Sequence, residues 1–314
     1  MASKESRYSY LGPVGTFTWE ALGQVSGAEK GEWLSVNNVG EALENVLSGS
    51  SEYAMIAIEN SIEGGVSATQ DALALAPSLR IVGEYLVPVR FVLATKPGTP
   101  LDSVTTVAAH AVAYAQCRTW LEKNLPRHSH VPARSNVHAA QSMSDDGLAD
   151  AAIAPPGITQ HADVTVVEEN IGDNPHAQTR FVLVQKGGMS PERTGADKTS
   201  IIAELPDDAP GRLLEMLEQF ATRGVNMSLL ESRPIGDAMG RYRFVIDLDG
   251  HIDDERVADA LMGLRRFSPK LVFLGSYPRA NGHRPDVAKP YSDDAFVDAR
   301  AWLEALRTGS PKGA

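Results

Sequence analysis

The sequence predicts an α/β protein in two parts, a longer first half on mostly parallel sheet and a smaller α+β part after it. Up to about residue 184, short apolar runs alternate with segments of helical period, the pattern of strands joined by covering helices. Beyond a polar stretch the order becomes β-α-β-β-α-β, the ferredoxin-like plan in which two helices lie on one face of an antiparallel sheet. A length of 314 residues, more than one hydrophobic core usually serves, agrees with at least two domains.

The elements follow in order. "RYSYL" (Arg7 to Leu11) is a strand that leads through the turn "GPVGT" into a helix, "FTWEALGQV". In "NNVGEALENVLSGS", Val39, Leu43, Val46 and Leu47 recur at helical spacing, Asn38 with Glu41 forms a capping box, and Gly49 is the stop. "YAMIAI" (Tyr53 to Ile58) has the pattern of a short buried strand and ends in "ENSIEGG". A helix follows from Ser67, with Gln70 as its box partner, to about Ala76. "LRIVGEYLVPVRFVLAT" (Leu79 to Thr95) is extended and serves as a crossover between two lobes. Then come strand "SVTTVAAH", helix "AVAYAQCRTWLEKNL", helix "NVHAAQSMSD", strand "DAAIA", a short helix opened by Pro-Pro-Gly, and strand "VTVVEE". "DNPHAQTRFVLV" closes this half as a turn running into the strand "FVLV".

"QKGGMSPERTGADK" (Gln185 to Lys198) lacks apolar periodicity and is expected to be the linker. The second part reads "TSIIAEL", "GRLLEMLEQFATRG", "MSLLESRP", "RYRFVIDL", "DDERVADALMGLRRF" and "KLVFLGSY", as strand, helix, two strands, helix and strand. Tyr242, Phe244, Ile246 and Leu248 share one face at period two. Such a sheet leaves edges and a face to cover, which predicts a homodimer or homotetramer. The tail from Pro278 ends in an amphipathic helix, "AFVDARAWLEALR".

Composition narrows the function. A formal charge of −11 argues against nucleic acid as a partner, because that affinity comes from lysine and arginine on phosphates. No apolar run reaches the roughly 20 residues that cross a bilayer, and the N-terminus shows no secretory pattern, so neither a membrane nor export is expected and the location is cytoplasmic. The single cysteine, Cys117, excludes a disulfide framework and any Cys-rich zinc site and reads as core filler. His128, His130 and His138 have no carboxylate at ligand spacing, so no metal is expected.

Three motifs could carry chemistry. "GPVGTF" joins a strand to a helix start, where free N–H groups suit an anion; it lacks the third glycine of a dinucleotide fingerprint and the lysine of a phosphate loop. Taken alone, it reads first as a tight strand-to-helix turn with Thr16 as N-cap. "IENSIEGG" sets Glu59, Asn60 and Ser61 at the carboxyl end of a buried strand, as a ligand-lined loop or as a structural turn. His110 also ends a strand and could meet a substrate or bond the backbone.

Together, "YLGPVGTFT", "IENSIEGGV", "DNPHAQTRFVLV" and "RGVNMSLLESRP" resemble, in order and spacing, prephenate dehydratase with a C-terminal ACT regulatory domain. The resemblance runs from about Tyr8 to Tyr277 and is to the monofunctional form. It implies a catalytic domain over 7–184 shaped like a type II periplasmic binding protein, with lobe 1 at about 7–84 and 170–184 and lobe 2 at about 85–169. A linker over 185–198, an ACT domain over 199–277 and a tail over 278–314 complete the chain.

It also implies the reaction, loss of carbon dioxide and the ring hydroxyl from prephenate to give phenylpyruvate, with feedback by L-phenylalanine bound to the ACT domain at a subunit interface. That chemistry requires no cofactor and no metal. Thr179 is expected to hydrogen-bond the departing oxygen, with Glu59 as the other member of the acid system and Asn60 and Ser61 orienting the substrate. Thr16, with neighbouring Gly15 and Phe17, would hold a carboxylate. Arg180 either pairs with a carboxylate or locks the lobe, and Phe181 and His110 stand beside the substrate. For the effector the resemblance implies Gly211, Arg212, Leu213 and Asn226, together with Met227, Ser228, Glu231 and Ser232. Two departures stand out: the family's His-Pro-Gln is "HAVAYAQC" here, and its Gly-Ala-Leu is "GRL", with Arg212 in place of a small residue. Arogenate dehydratase and a catalytically silent amino-acid sensor are the competing readings.

Overall fold

A computed structural model describes residues 6–207, 209–236 and 240–309 of the chain. It opens with β1 (Arg7–Leu11), α1 (Phe17–Gly23), β2 (Glu32–Val36), α2 (Val39–Ser48), β3 (Tyr53–Asn60), the two-residue β4 (Gly64–Gly65), α3 (Ser67–Leu75) and β5 (Leu79–Pro88). β1 is central and pairs in parallel with both β2 and β3. Asn38 caps α2 as its sequence predicts, accepting from the Glu41 N–H at 2.9 Å, and Glu41 reaches back one residue further, to the Asn37 N–H. Gly49 ends α2 at φ +80°, the left-handed conformation that glycine adopts without strain. β2 lacks a sequence signal because it is a half-exposed strand at the sheet edge with no clean alternation.

The second sheet is built from β6 (Val92–Thr95), β7 (Thr106–Ala109), α4 (Ala111–Gln116), α5 (Arg118–Asn124), β8 (Ser129–Pro132), α6 (Asn136–Asp146), β9 (Ala151–Ala154) and β10 (Thr165–Glu168), in the strand order β10-β6-β9-β7-β8. The single helix expected over "AVAYAQCRTWLEKNL" is two helices. Cys117 leaves helical geometry at φ −115°, ψ 9°, and Asp173 supplies a fresh N-terminal cap by accepting from the N–H groups of Thr119 and Trp120. Cys117 is fully buried, and burial raises its thiol far above the ordinary range, as befits core filler. The sheet is mixed rather than mostly parallel: β7 runs parallel to β8 and β9, whereas β6 is antiparallel to both β9 and β10. Leu93, Val107, Leu121 and Ile153 pack on one face, and Ala94, Ala140, Met143 and Ile158 on the other.

β11 (Gln178–Lys186) then returns to the first sheet, whose order is β2-β1-β3-β11-β5. This strand starts three residues earlier than the apolar run suggests, so Thr179 and Arg180 lie inside it rather than at a loop junction. Phe181 is buried in the core.

After β11, the third sheet contains β12 (Asp197–Glu204), α7 (Arg212–Ala221), β13 (Met227–Pro234), β14 (Tyr242–Asp249), α8 (Glu255–Phe267) and β15 (Leu271–Pro278). Its order is β13-β14-β12-β15, antiparallel throughout, which is the ferredoxin-like arrangement. Met216 and Phe220 of α7 and Val257 and Leu264 of α8 fill its core against Ile201, Phe244 and Ile246. β11 and β12 take up both ends of the expected linker. α9 (Asp293–Thr308) ends the described chain.

Residue contacts divide the chain into two compact units, the first up to Thr69 with Tyr85–Leu183 and the second Gln70–Glu84 with Val184 onward. The border therefore falls within α3, β5 and β11. Among the described residues, no helix is long and apolar enough to cross a membrane.

Candidate active site

Two strands of the first sheet set up the centre of the site. β3 ends in Glu59 and Asn60, and β11 carries Thr179 and Arg180. Asn60 Oδ1 accepts from the N–H of Ile62 at 2.9 Å and of Glu63 at 3.3 Å, a local turn that fixes which way the amide points. Its Nδ2 is thereby directed at Thr179 and donates to Oγ1 at 2.9 Å, across 119 residues of sequence. A hydroxyl that accepts from an amide keeps its own proton for a third group. Both residues line a cavity of about 500 Å³ within the first unit.

Arg180 and Glu59 meet each other. The guanidinium, 5% exposed, donates from Nε to Glu59 Oε2 at 2.8 Å, and neither residue lines the cavity. Of the two roles open to Arg180, the locking one fits this geometry, and Glu59 is its counter-ion. Ser61 is likewise a strap: its N–H donates to the Gln178 carbonyl and its Oγ accepts from the Gln178 N–H, each at 2.9 Å. Thr16 caps α1, accepting from the Trp19 N–H at 3.3 Å and donating to the Leu11 carbonyl at 2.9 Å. Phe17 lines the cavity and packs edge-on against Phe91, with ring centroids 5.8 Å apart. Gly15 faces away from this cavity, toward His161.

His110 also lines the cavity. It caps α4, its Nδ1 accepting from the Val112 N–H at 3.3 Å, so in the neutral ring the proton is on Nε2. Its backbone N–H donates to Asn136 Oδ1 at 3.0 Å, which ties the starts of α4 and α6 together.

The structure adds a residue that the motifs do not reveal. Gln116, on the last turn of α4, is 6% exposed and lines the cavity, yet neither its Oε1 nor its Nε2 has a hydrogen-bond partner among the described residues. Leaving an amide buried and unpaired costs about 1–3 kcal/mol, a cost that a polar ligand removes.

The cavity lining contains no lysine or arginine. It holds the Glu63 carboxylate, and helix starts open onto it: Phe17 opens α1, Ser67 opens α3, Val112 and Ala113 lie in the first turn of α4, and Asn136 opens α6. N-terminal N–H groups and the positive ends of helix dipoles suit a ligand bearing carboxylates.

In the third sheet the residues expected to hold an effector divide into groups. Gly211 precedes α7 at φ +89°, with open space where a Cβ would stand. Arg212 folds back onto Asp207 at 2.6 Å and Glu215 at 2.8 Å, and these bonds raise its pKa further. Leu213 is exposed. Asn226 donates to Asp249 Oδ2 at 2.8 Å. Along β13, Ser228 and Ser232 are exposed, whereas Met227 and Glu231 lie on the half-buried face, where Glu231 Oε2 accepts from Gln70 Nε2 at 2.6 Å.

The family model for prephenate dehydratase matches residues 8–188, and that for the ACT domain matches residues 199–266. A prephenate dehydratase of Mycolicibacterium gilvum is 40% identical over 313 residues, which cover 96% of this chain and 99% of that protein. One from Amycolatopsis methanolica is 39% identical over 305 residues, covering 97% and 99%. A crystal structure of prephenate dehydratase in complex with L-Phe, from Arthrobacter aurescens, superposes with a TM-score of 0.90 at 49% identity, covering 96% of this chain and 99% of that one.

Proposed function

The chain belongs to the prephenate dehydratase family, with an ACT domain after the catalytic domain, and acts as a hydro-lyase converting prephenate to phenylpyruvate; from that premise we propose which side chains carry the reaction and what regulates it. Prephenate dianion takes up one proton and yields phenylpyruvate, carbon dioxide and water. The electron pair of the breaking bond to the ring carboxylate enters the ring, and the hydroxyl across the ring leaves with its own electron pair. Hydroxide is the poor leaving group, so a hydrogen bond to that oxygen is what the site must supply.

Thr179 supplies it. The carrying observation is the 2.9 Å bond from Asn60 Nδ2, which occupies the threonine oxygen as acceptor and frees its O–H to donate into the cavity. The amide of Gln116 and Nε2–H of His110 orient the substrate, and the helix starts around Phe17, Ser67 and Asn136 receive its two carboxylates. Glu59 and Arg180 hold β3 against β11, so that Asn60 and Thr179 stay in register. Thr179→Ala lowers kcat for phenylpyruvate formation by at least about a hundredfold in a protein that still folds, while Thr179→Ser keeps most of it. Near-normal turnover of the alanine variant overturns the assignment.

The regulatory reading rests on the ACT match and the L-Phe complex of the Arthrobacter protein. L-phenylalanine binds beside Gly211, Leu213, Asn226, Met227, Ser228 and Ser232 and inhibits by feedback, in a cytoplasmic homodimer or homotetramer that covers the open edges of the sheet. Arg212, held by Asp207 and Glu215, stays at the rim. Calorimetric titration with L-phenylalanine, beside the molar mass in solution, checks both statements.

A further inference from the structure

A second cavity of about 430 Å³ lies within the same unit, walled by Trp19 and Glu20 of α1, by Pro155, Gln160 and His161 after β9, and by Arg90 between them. It is separate from the substrate cavity. Along the crossover from β5 to β6, Val89 and Phe91 are buried and line the substrate cavity, whereas Pro88 and Arg90 are exposed and line this one; Arg90 also borders a smaller cavity of about 240 Å³ that it shares with Val89 and Phe91. Only Phe17 belongs to both linings.

The walls have a definite chemistry. Gly15, at φ +87°, lets the His161 ring close over it: a Cβ there would come within 2.3 Å of His161 Cδ2. His161 in turn stands edge-on to Trp19, with ring centroids 5.9 Å apart, making an aromatic corner. One cation and one anion face the same space, and neither the Arg90 nor the Glu20 side chain has a hydrogen bond or ion pair with another described residue. Glu20, like Arg90, is exposed on its outer side, and the desolvation of its inner side raises the pKa of its carboxyl. Oppositely charged groups that share a cavity unpaired, beside aromatic walls, match the two charges and the side chain of a zwitterion.

We infer that this cavity binds a free aromatic α-amino acid, its carboxylate on Arg90, its ammonium group on Glu20 and its ring against Trp19 and His161. The site is independent of the one on the ACT domain and of the reaction.

Titration calorimetry of the full chain with L-tryptophan, tryptamine and indole-3-propionate tests this, because the last two each lack one charge. L-tryptophan binds at least about tenfold more tightly than either. Arg90→Met weakens L-tryptophan at least about tenfold and leaves tryptamine unchanged; Glu20→Gln weakens it similarly and leaves indole-3-propionate unchanged. Both variants keep the parent kcat/KM for prephenate. The inference is overturned if L-tryptophan binds more weakly than about 1 mM, if both variants retain its parent affinity, or if indole-3-propionate binds as well as the amino acid.

Discussion

At the residue scale the site turns on the direction of two protons. Asn60 cannot turn its amide without losing both backbone donors to Oδ1, so Nδ2 stays on Thr179. In Asn60→Asp a carboxylate oxygen replaces that donor, the threonine proton turns inward to it, and kcat falls at least about a hundredfold with little change in KM. A variant with normal kcat shows that the Thr179 proton is not used. Gln116 makes the opposite trade. Gln116→Leu removes a buried unpaired amide, so the folded state gains about 1 kcal/mol and Tm rises, while kcat/KM drops at least about tenfold. Equal activity, or a lower Tm, refutes that role. Glu59→Gln strips the counter-ion from a buried guanidinium and lowers stability by on the order of 2 kcal/mol, discounted because the carboxylate side is 32% exposed. The family motifs singled out Thr179 and Asn60, but not that they bond to each other. Nor could they reveal Gln116, because being unpaired belongs to the surroundings of a side chain rather than to its neighbours in sequence. The same holds for Arg180, whose partner is decided by which strand β11 lies beside.

At the element scale, periodicity located segments better than it located their ends. The stretch 111–125 has unbroken helical spacing, and Asp173, about fifty residues away, divides it at Cys117: its N–H donates to the Gln116 carbonyl at 2.7 Å and its carboxylate caps Thr119 and Trp120. β8, like β2, is a half-exposed edge strand and has no clean pattern to read. Asp150 is another long-range tie. Its Oδ2 accepts from the backbone N–H and the hydroxyl of both Thr105 and Thr106, at 2.8 to 2.9 Å, pinning the start of β9 to that of β7. Those bonds, led by the Thr105 N–H, lower the carboxyl pKa. A pKa lower in the folded than in the unfolded chain adds stability above the ordinary carboxylate value near 4, and that stability fades as pH falls through the folded value. Asp150→Asn therefore lowers Tm at pH 7, by about 1–2 kcal/mol of stability, and the gap from the parent closes in acid. A gap that stays constant with pH excludes Asp150 as the titrating group.

At the scale of the whole molecule, the order of elements conveyed the ferredoxin-like sheet, since β-α-β-β-α-β has few ways to pack. It did not convey that the second sheet is mixed, because the direction of β6 and β10 is set by the crossover and leaves no mark on their apolar patterns. Nor did it convey what α3 connects. The first turn of this helix lines the substrate cavity at Ser67. Its next residues belong to the other compact unit: Gln70 donates to Glu231, and Asp71 receives Arg233 at 2.9 Å and Arg243 at 3.3 Å. Glu231 and Arg233 lie on β13, the strand that begins at Met227 among the proposed effector residues. A ligand that shifts β13 therefore pulls on α3 through these bonds, and α3 runs on into the first turn that lines the cavity. Asp71→Asn leaves a neutral side chain between two arginines and weakens that tie without touching either site. Without effector, kcat/KM stays within about twofold of the parent. L-phenylalanine still binds, by calorimetry, but its inhibition of phenylpyruvate formation weakens at least about fivefold, the low end of typical coupling between sites. Inhibition as strong as in the parent shows that the signal does not pass through Asp71, and loss of binding itself places Asp71 in support of the effector site rather than in transmission.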